Sequence, residues 1–148
     1  MGWLDRLRGK KAIINILSLN KFINSYDLTE DKIDIGRTTD DIKGLTLKIP
    51  GQILIVTQVN TQTISRKHAT LEWDPAIKRY RLNDHSRFGT VLNGESIHNN
   101  RTSEIVENCS NIFISPFMFQ LFYKWFHYFY ILILIITSLS NEKNSLAK

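Results

Sequence analysis

Ser65, Arg66 and His68 span four positions at the head of the segment "TISRKHATLEWD", Thr63 to Asp74. A serine hydroxyl beside a planar guanidinium can hold a phosphate through charge-assisted hydrogen bonds. The same residues admit plainer roles. Edge strands carry basic side chains for solubility, and serines often close turns. A hydrolase pair of Ser65 and His68 is poorly supported. Three apart on a strand, they start on opposite faces, and the chain has no Gly-x-Ser-x-Gly elbow. The chain is therefore read as a non-enzyme.

Two further blocks hold similar chemistry. Gly36-Arg37 ends the run "KIDIGR", and Ser86 and Arg87 precede Gly89-Thr90 in "NDHSRFGTVLNG". Asn93-Gly94 closes that segment, and this dipeptide readily takes positive φ in a tight turn. The four histidines, His68, His85, His98 and His127, have no metal-ligand spacing, and Cys109 is the only cysteine. An intrachain disulfide and a cysteine-based metal cluster are thus excluded. No metal or cofactor is expected. A lone cysteine fits a reducing compartment such as nucleus or cytosol.

The elements that must position these blocks are strands. At 148 residues, with 43% hydrophobic residues, the chain has the size and apolar content of one domain with a real core. Its net charge of +5 favours anionic partners in general. The basic residues are scattered rather than massed, so direct nucleic-acid binding is not expected. "AIINILSL" and "KIDIG" read as strands, and "LTLKI" and "QILIV" as a pair split by Pro50-Gly51. "KHATLEW" and "KRYRLND" flank the turn signal Asp74-Pro75 and read as a hairpin, and "GTVL" and "ESI" flank Asn93-Gly94. In Thr63–Asp74, Ala69, Leu71 and Trp73 alternate with polar residues, the pattern of a half-buried strand. No long segment shows a helical period. Many short strands with turns between them mean an all-β sandwich or barrel.

The two ends differ from the middle. "MGWLDRLRGKK" followed by "AIINILSL" has the outline of a signal peptide, but Asn15 interrupts a short apolar run and no cleavage site follows, so a strand is the better reading. Arg6 stands where a myristoylation motif needs Ser or Thr. Near the C-terminus, Phe117, Phe119, Leu121, Tyr123 and Trp125 would share one strand face, which makes "FMFQLFYKW" a closing strand. "FHYFYILILIITSL" then runs without charge apart from His127. Trp125 to Leu139 falls short of the roughly 20 residues a membrane span needs. Three readings stand for this tail: the end of a truncated product, a membrane anchor through residues 126–139, or an extra strand.

Taken in order, Gly-Arg, then Ser-Arg-x-His, then Gly-Thr-x-x-Asn-Gly resemble the forkhead-associated (FHA) family, over about Ile13 to Trp125. Within it, "LNDHSRFGTVLNGESI" looks most like FHA domains of the nibrin type, where a basic residue and an aromatic precede Gly-Thr as Arg87 and Phe88 do. The resemblance implies an all-β fold, an FHA-type eleven-stranded β-sandwich. It divides the chain into a leader at 1–11, the FHA domain at 12–125 with an insertion at about 40–52, and an apolar tail at 126–148. It implies phosphothreonine-peptide binding without catalysis, phosphothreonine-containing proteins as partners, and a nuclear role in DNA-damage signalling. A membrane-tethered FHA adaptor is the alternative. By resemblance, Arg37, Ser65, Arg66 and Arg87 contact the phosphopeptide. Gly36, His68, Gly89, Thr90, Asn93 and Gly94 shape the site, with His68 bracing the loops. Two departures stand out. Phe88 occupies a position where many family members have an asparagine that steadies the peptide backbone. The stretch from Thr38 to Ile64, 27 residues, is also longer than the family usually carries there.

Overall fold

The computed structural model describes residues 9–38, 44–56, 63–98 and 103–146; nothing is described for the side chains of 124–131 and 144–146. Most of the expected leader, the start of the insertion and the segment just before Ser65 therefore lie outside the described residues.

Among the described residues, twelve strands form two six-stranded sheets. The first sheet has the order β2-β1-β12-β11-β8-β9. Its strands are β1 (Ala12–Ser18), β2 (Lys21–Leu28), β8 (Val91–Leu92), β9 (Glu95–Ser96), β11 (Ser110–Ile114) and β12 (Phe117–Tyr123). The second has the order β10-β7-β6-β3-β5-β4. It is built from β3 (Lys32–Thr38), β4 (Thr46–Ile49), β5 (Gln52–Val56), β6 (Ala69–Asp74), β7 (Arg79–Asp84) and β10 (Glu104–Ile105). The β3–β5 pair is parallel, with Arg37 opposite Ile55 and Thr38 opposite Val56.

Alternation decides which side chains form the core. In β12, Phe117, Phe119, Leu121 and Tyr123 are buried, and the residues between them are not. Ile14 and Ile16 of β1 face the same interior as Ile33 and Ile35 of β3, Leu71 of β6, and Tyr80 and Leu82 of β7. Each fully buried branched side chain is worth about 1.5–3 kcal/mol of transfer free energy. The buried tyrosines are also satisfied. The Tyr80 hydroxyl donates to the Glu30 carbonyl at 2.7 Å, and the Tyr80 N–H donates to the Tyr123 hydroxyl at 2.7 Å.

The turn chemistry follows the sequence at three hairpins. Gly51 takes φ 74° after Pro50, and Ile49 faces Gln52 across that turn. Asp74 accepts the Ala76 N–H at 3.0 Å and starts the β6–β7 turn. Asn93 and Gly94 have φ 51° and 84° between β8 and β9.

Three segments bear on the sequence reading. First, β2 is a full strand that no turn signal announced, because its tight turn is made by Leu19 and Asn20 at φ 50° and 62° without a glycine. Second, the insertion forms the strand pair expected on either side of Pro50-Gly51, with β4 at the edge of the second sheet. β4 is held to β2 through Thr46, whose hydroxyl meets the Tyr26 hydroxyl at 2.9 Å and the Asn24 amide at 3.0 Å. Lys48 pairs with Glu30, which also accepts the Gly51 N–H at 3.2 Å.

Third, the chain does contain a long helix. After Tyr123 the inside–outside alternation ends, and α1 spans Lys124–Leu146. Trp125 thus leaves the strand face expected for it. Leu132 to Ile136 and Leu139 are 42–56% exposed, so this part of α1 packs against no element of the sandwich. Among the described residues, no helix is long and apolar enough to cross a membrane. The anchored alternative therefore has no span among them.

Candidate functional site

Three backbone segments meet at one end of the second sheet. They are the end of β3 at Gly36-Arg37, the loop 63–68 leading into β6, and the loop 84–90 between β7 and β8. The Arg37 N–H donates to the Ser65 carbonyl at 3.2 Å, and the His68 N–H to the Ile35 carbonyl at 2.8 Å. Gly36 is needed for this approach: a β-carbon there would lie 1.8 Å from the Arg66 carbonyl oxygen.

His68 joins two of the loops. It is 1% exposed. Its Nδ1 accepts the Ser65 N–H at 3.1 Å, which leaves Nε2 to carry the proton and donate to the Gly89 carbonyl at 3.0 Å. Burial holds the imidazole below its ordinary pKa, against the opposing pull of the Gly89 carbonyl and the Asp84 charge. A proton on Nδ1 would end the bond from Ser65. His68 therefore meets Ser65 at its backbone amide, whereas a nucleophile–base pair would need the hydroxyl.

The Ser65 hydroxyl oxygen instead accepts the Arg87 N–H at 3.1 Å. Among the described residues its own hydrogen meets no acceptor and can donate. Arg66 and Arg87 are exposed and Arg37 is half-buried. Among the described residues, no carboxylate pairs with any of the three. The Arg37 Nε is buried without a hydrogen-bond partner among those residues. Lys67 points elsewhere, 3.9 Å from Asp34.

The loop bearing Arg87 is built on Asp84, a residue the motif reading missed. Its side chain is 2% exposed. It accepts the Ser86 hydroxyl at 2.6 Å, the Thr90 hydroxyl at 2.7 Å, the Ser86 N–H at 3.3 Å, and pairs with His98 Nδ1 at 3.1 Å. Burial alone would raise the carboxyl pKa, but the bonds from Ser86, Thr90 and His98 outweigh it and hold the group low. Ser86 passes the order on by accepting the Gly89 N–H at 2.7 Å. Gly89 has φ 106°, and a β-carbon there would lie 3.1 Å from the His98 β-carbon and 3.3 Å from its ring. The Asp84-x-Ser86 spacing is an Asx-turn signal that could have pointed to this anchor. Its partner His98 is a long-range contact without a local signature.

Asn93 and Gly94 make the β8–β9 turn. The Asn93 side chain faces β11, donating to the Ser110 hydroxyl at 3.1 Å and accepting the Asn111 N–H at 2.8 Å. Thr90 is fully buried beneath the loop. The geometry thus brings Gly36, Arg37, Ser65, Arg66, His68, Arg87, Gly89 and Thr90 together. Asn93 and Gly94 support the adjoining strand pair.

A family model described as the FHA domain matches residues 33–114, more than half of the chain. The chain belongs to the FHA family. No curated protein matches it in sequence. Solved structures, FHA domains among them, share the fold at low identity. Full-length yeast Pml1p aligns at 16% identity and TM-score 0.58, covering 82% of this chain and 85% of Pml1p. An FHA domain of an Arabidopsis thaliana hypothetical protein aligns at 17% identity and TM-score 0.57, covering 77% of this chain and 86% of that one. A structure solved in a study of phosphothreonine-dependent FHA domain interactions aligns at 17% identity and TM-score 0.51, covering 76% and 95% of the two chains. In this FHA domain the two loops and the β3 end carry the family's motif blocks.

Proposed function

We propose that this FHA domain binds phosphothreonine peptides through Arg37, Ser65, Arg66 and Arg87 and so recruits phosphorylated partner proteins. The observation that carries this is the state of Ser65. Its oxygen is occupied by the Arg87 N–H; among the described residues its hydrogen meets no acceptor, and the three arginines on the segments around it pair with no carboxylate. A phosphothreonine offers nearly two negative charges and strong acceptor oxygens. Guanidinium forks and a hydroxyl donor are the groups that satisfy them. Two of the solved relatives support the reading: one is an engineered FHA domain with a Myc-pTBD peptide, the other comes from work on phosphothreonine-dependent interactions.

The pathway is the finer part of the proposal. The likeness of "LNDHSRFGTVLNGESI" to nibrin-type domains supports a nuclear role in DNA-damage signalling. Interaction capture from nuclear extract before and after induced strand breaks tests it; a damage-independent set of partners would count against it.

The binding proposal is tested by Arg66→Ala and Ser65→Ala. A lost charge-assisted hydrogen bond costs about 1.5–3 kcal/mol. Affinity for a phosphothreonine peptide should therefore fall roughly ten- to a hundred-fold, with the melting temperature nearly unchanged for Arg66→Ala. Unchanged affinity in both variants would remove these residues from the site.

A further inference from the structure

Phe88 is 60% exposed, in the middle of the loop that carries Arg87. Its backbone is held on both sides. The Arg87 N–H is fixed to the Ser65 hydroxyl, and Gly89 is fixed through its N–H to Ser86 and through its carbonyl to His68. The ring therefore projects from a braced segment and gains little from the core. A large aromatic held outward on an ordered loop is pre-organised for contact, because little loop entropy is left to lose on binding.

The ring also lies beside the phosphate-seeking group. The Arg87 guanidinium sits 5.3 Å from the Phe88 ring centroid. A guanidinium stacked on a ring by cation–π attraction keeps its edge N–H groups free for an anion. An extended peptide advances about 3.3–3.6 Å per residue. With phosphate at Arg87, the ring thus falls within reach of the residues one or two positions from the phosphothreonine. Phe88 has no hydrogen-bonding group, so what it offers there is apolar contact.

We infer that Phe88 forms an apolar subsite that selects phosphothreonine peptides carrying an aliphatic or aromatic side chain one or two residues from the phosphothreonine, an inference that rests on the phosphothreonine reading above. The test is a titration of the full chain with phosphothreonine peptides bearing Leu, Phe, Ser or Gly at the flanking positions, each with an unphosphorylated twin. Leu- or Phe-flanked peptides should bind about ten-fold tighter than Gly-flanked ones, the size expected of one partly buried apolar side chain. Phe88→Asn should bring them level with the Gly-flanked peptides, and Phe88→Leu should keep much of the preference. If Phe88→Asn leaves the preference intact, or weakens all peptides equally, the ring does not read the flank and the inference is overturned. If the wild-type chain does not separate phosphorylated from unphosphorylated peptides, the phosphothreonine reading fails, and the subsite falls with it.

Discussion

A β-carbon on Gly36 would sit 1.8 Å from the carbonyl oxygen of Arg66. No side chain fits between β3 and the loop that presents Ser65 and Arg66, so the two backbones are in direct contact. Gly36→Ala must push that loop away and lengthen the bond from the Arg37 N–H to the Ser65 carbonyl, 3.2 Å in the native fold. Overpacking of this kind costs about 1–3 kcal/mol. Urea unfolding should show the loss, and phosphopeptide affinity should drop under conditions where the variant is still folded. A variant with native stability and affinity would contradict the contact.

Asp84→Asn should loosen the Arg87 loop. The carboxylate receives two hydroxyl donors and one amide and pairs with His98. An asparagine can keep its amide oxygen toward the Ser86 and Thr90 donors, but it loses the charge they stabilise and turns an NH₂ toward His98 Nδ1. The expected cost is about 1–3 kcal/mol in stability, with a fall in phosphopeptide affinity as Arg87 loses its fixed place. Thermal melts and peptide titration read both effects, and an unaltered pair of values would remove Asp84 from its anchoring role.

Acid should weaken the folded state through His68. Burial holds its folded pKa below the ordinary 6.5. Between those two values the unfolded chain binds more protons than the folded one, so stability falls as pH drops below 6.5 and is fully present above it. Unfolding midpoints of the peptide-free protein, measured across this range, should decline in the wild type. The decline should be smaller in His68→Gln. Equal pH profiles for the two would sink the assignment.

Glu30 acts further down the scale. Burial would raise its pKa, but the Lys48 side chain and the backbone N–H groups around it lower it from 4.5 to about 2. Its contribution is present above 4.5 and is lost as pH falls toward 2. Lys48→Gln should lower stability at neutral pH and shrink the loss over that acid window. An unchanged acid profile would mean that the insertion hairpin does not depend on this pair.

The sandwich could be read from sequence wherever turn chemistry was explicit. Pro50-Gly51, Asp74-Pro75 and Asn93-Gly94 each mark a hairpin that forms. β2 escaped because Leu19 and Asn20 take positive φ without glycine, and because its exposed edge position removes the apolar alternation that flags a strand. The tail misled for a related reason. A continuous apolar run carries no period, so strand and helix looked alike until Tyr123 ended the alternation. At the site, residues close in sequence stood out as motif blocks. Asp84 and His98, 14 residues apart, meet only through the fold.

The most direct measurement is a fluorescence-polarisation titration of the full chain with a degenerate phosphothreonine peptide pool, its unphosphorylated twin and a phosphoserine version. Saturable binding that requires the phosphate and favours phosphothreonine is the expected result. Equal binding of phosphorylated and unphosphorylated pools by a folded sample would contradict a phosphothreonine site at Ser65, Arg66 and Arg87.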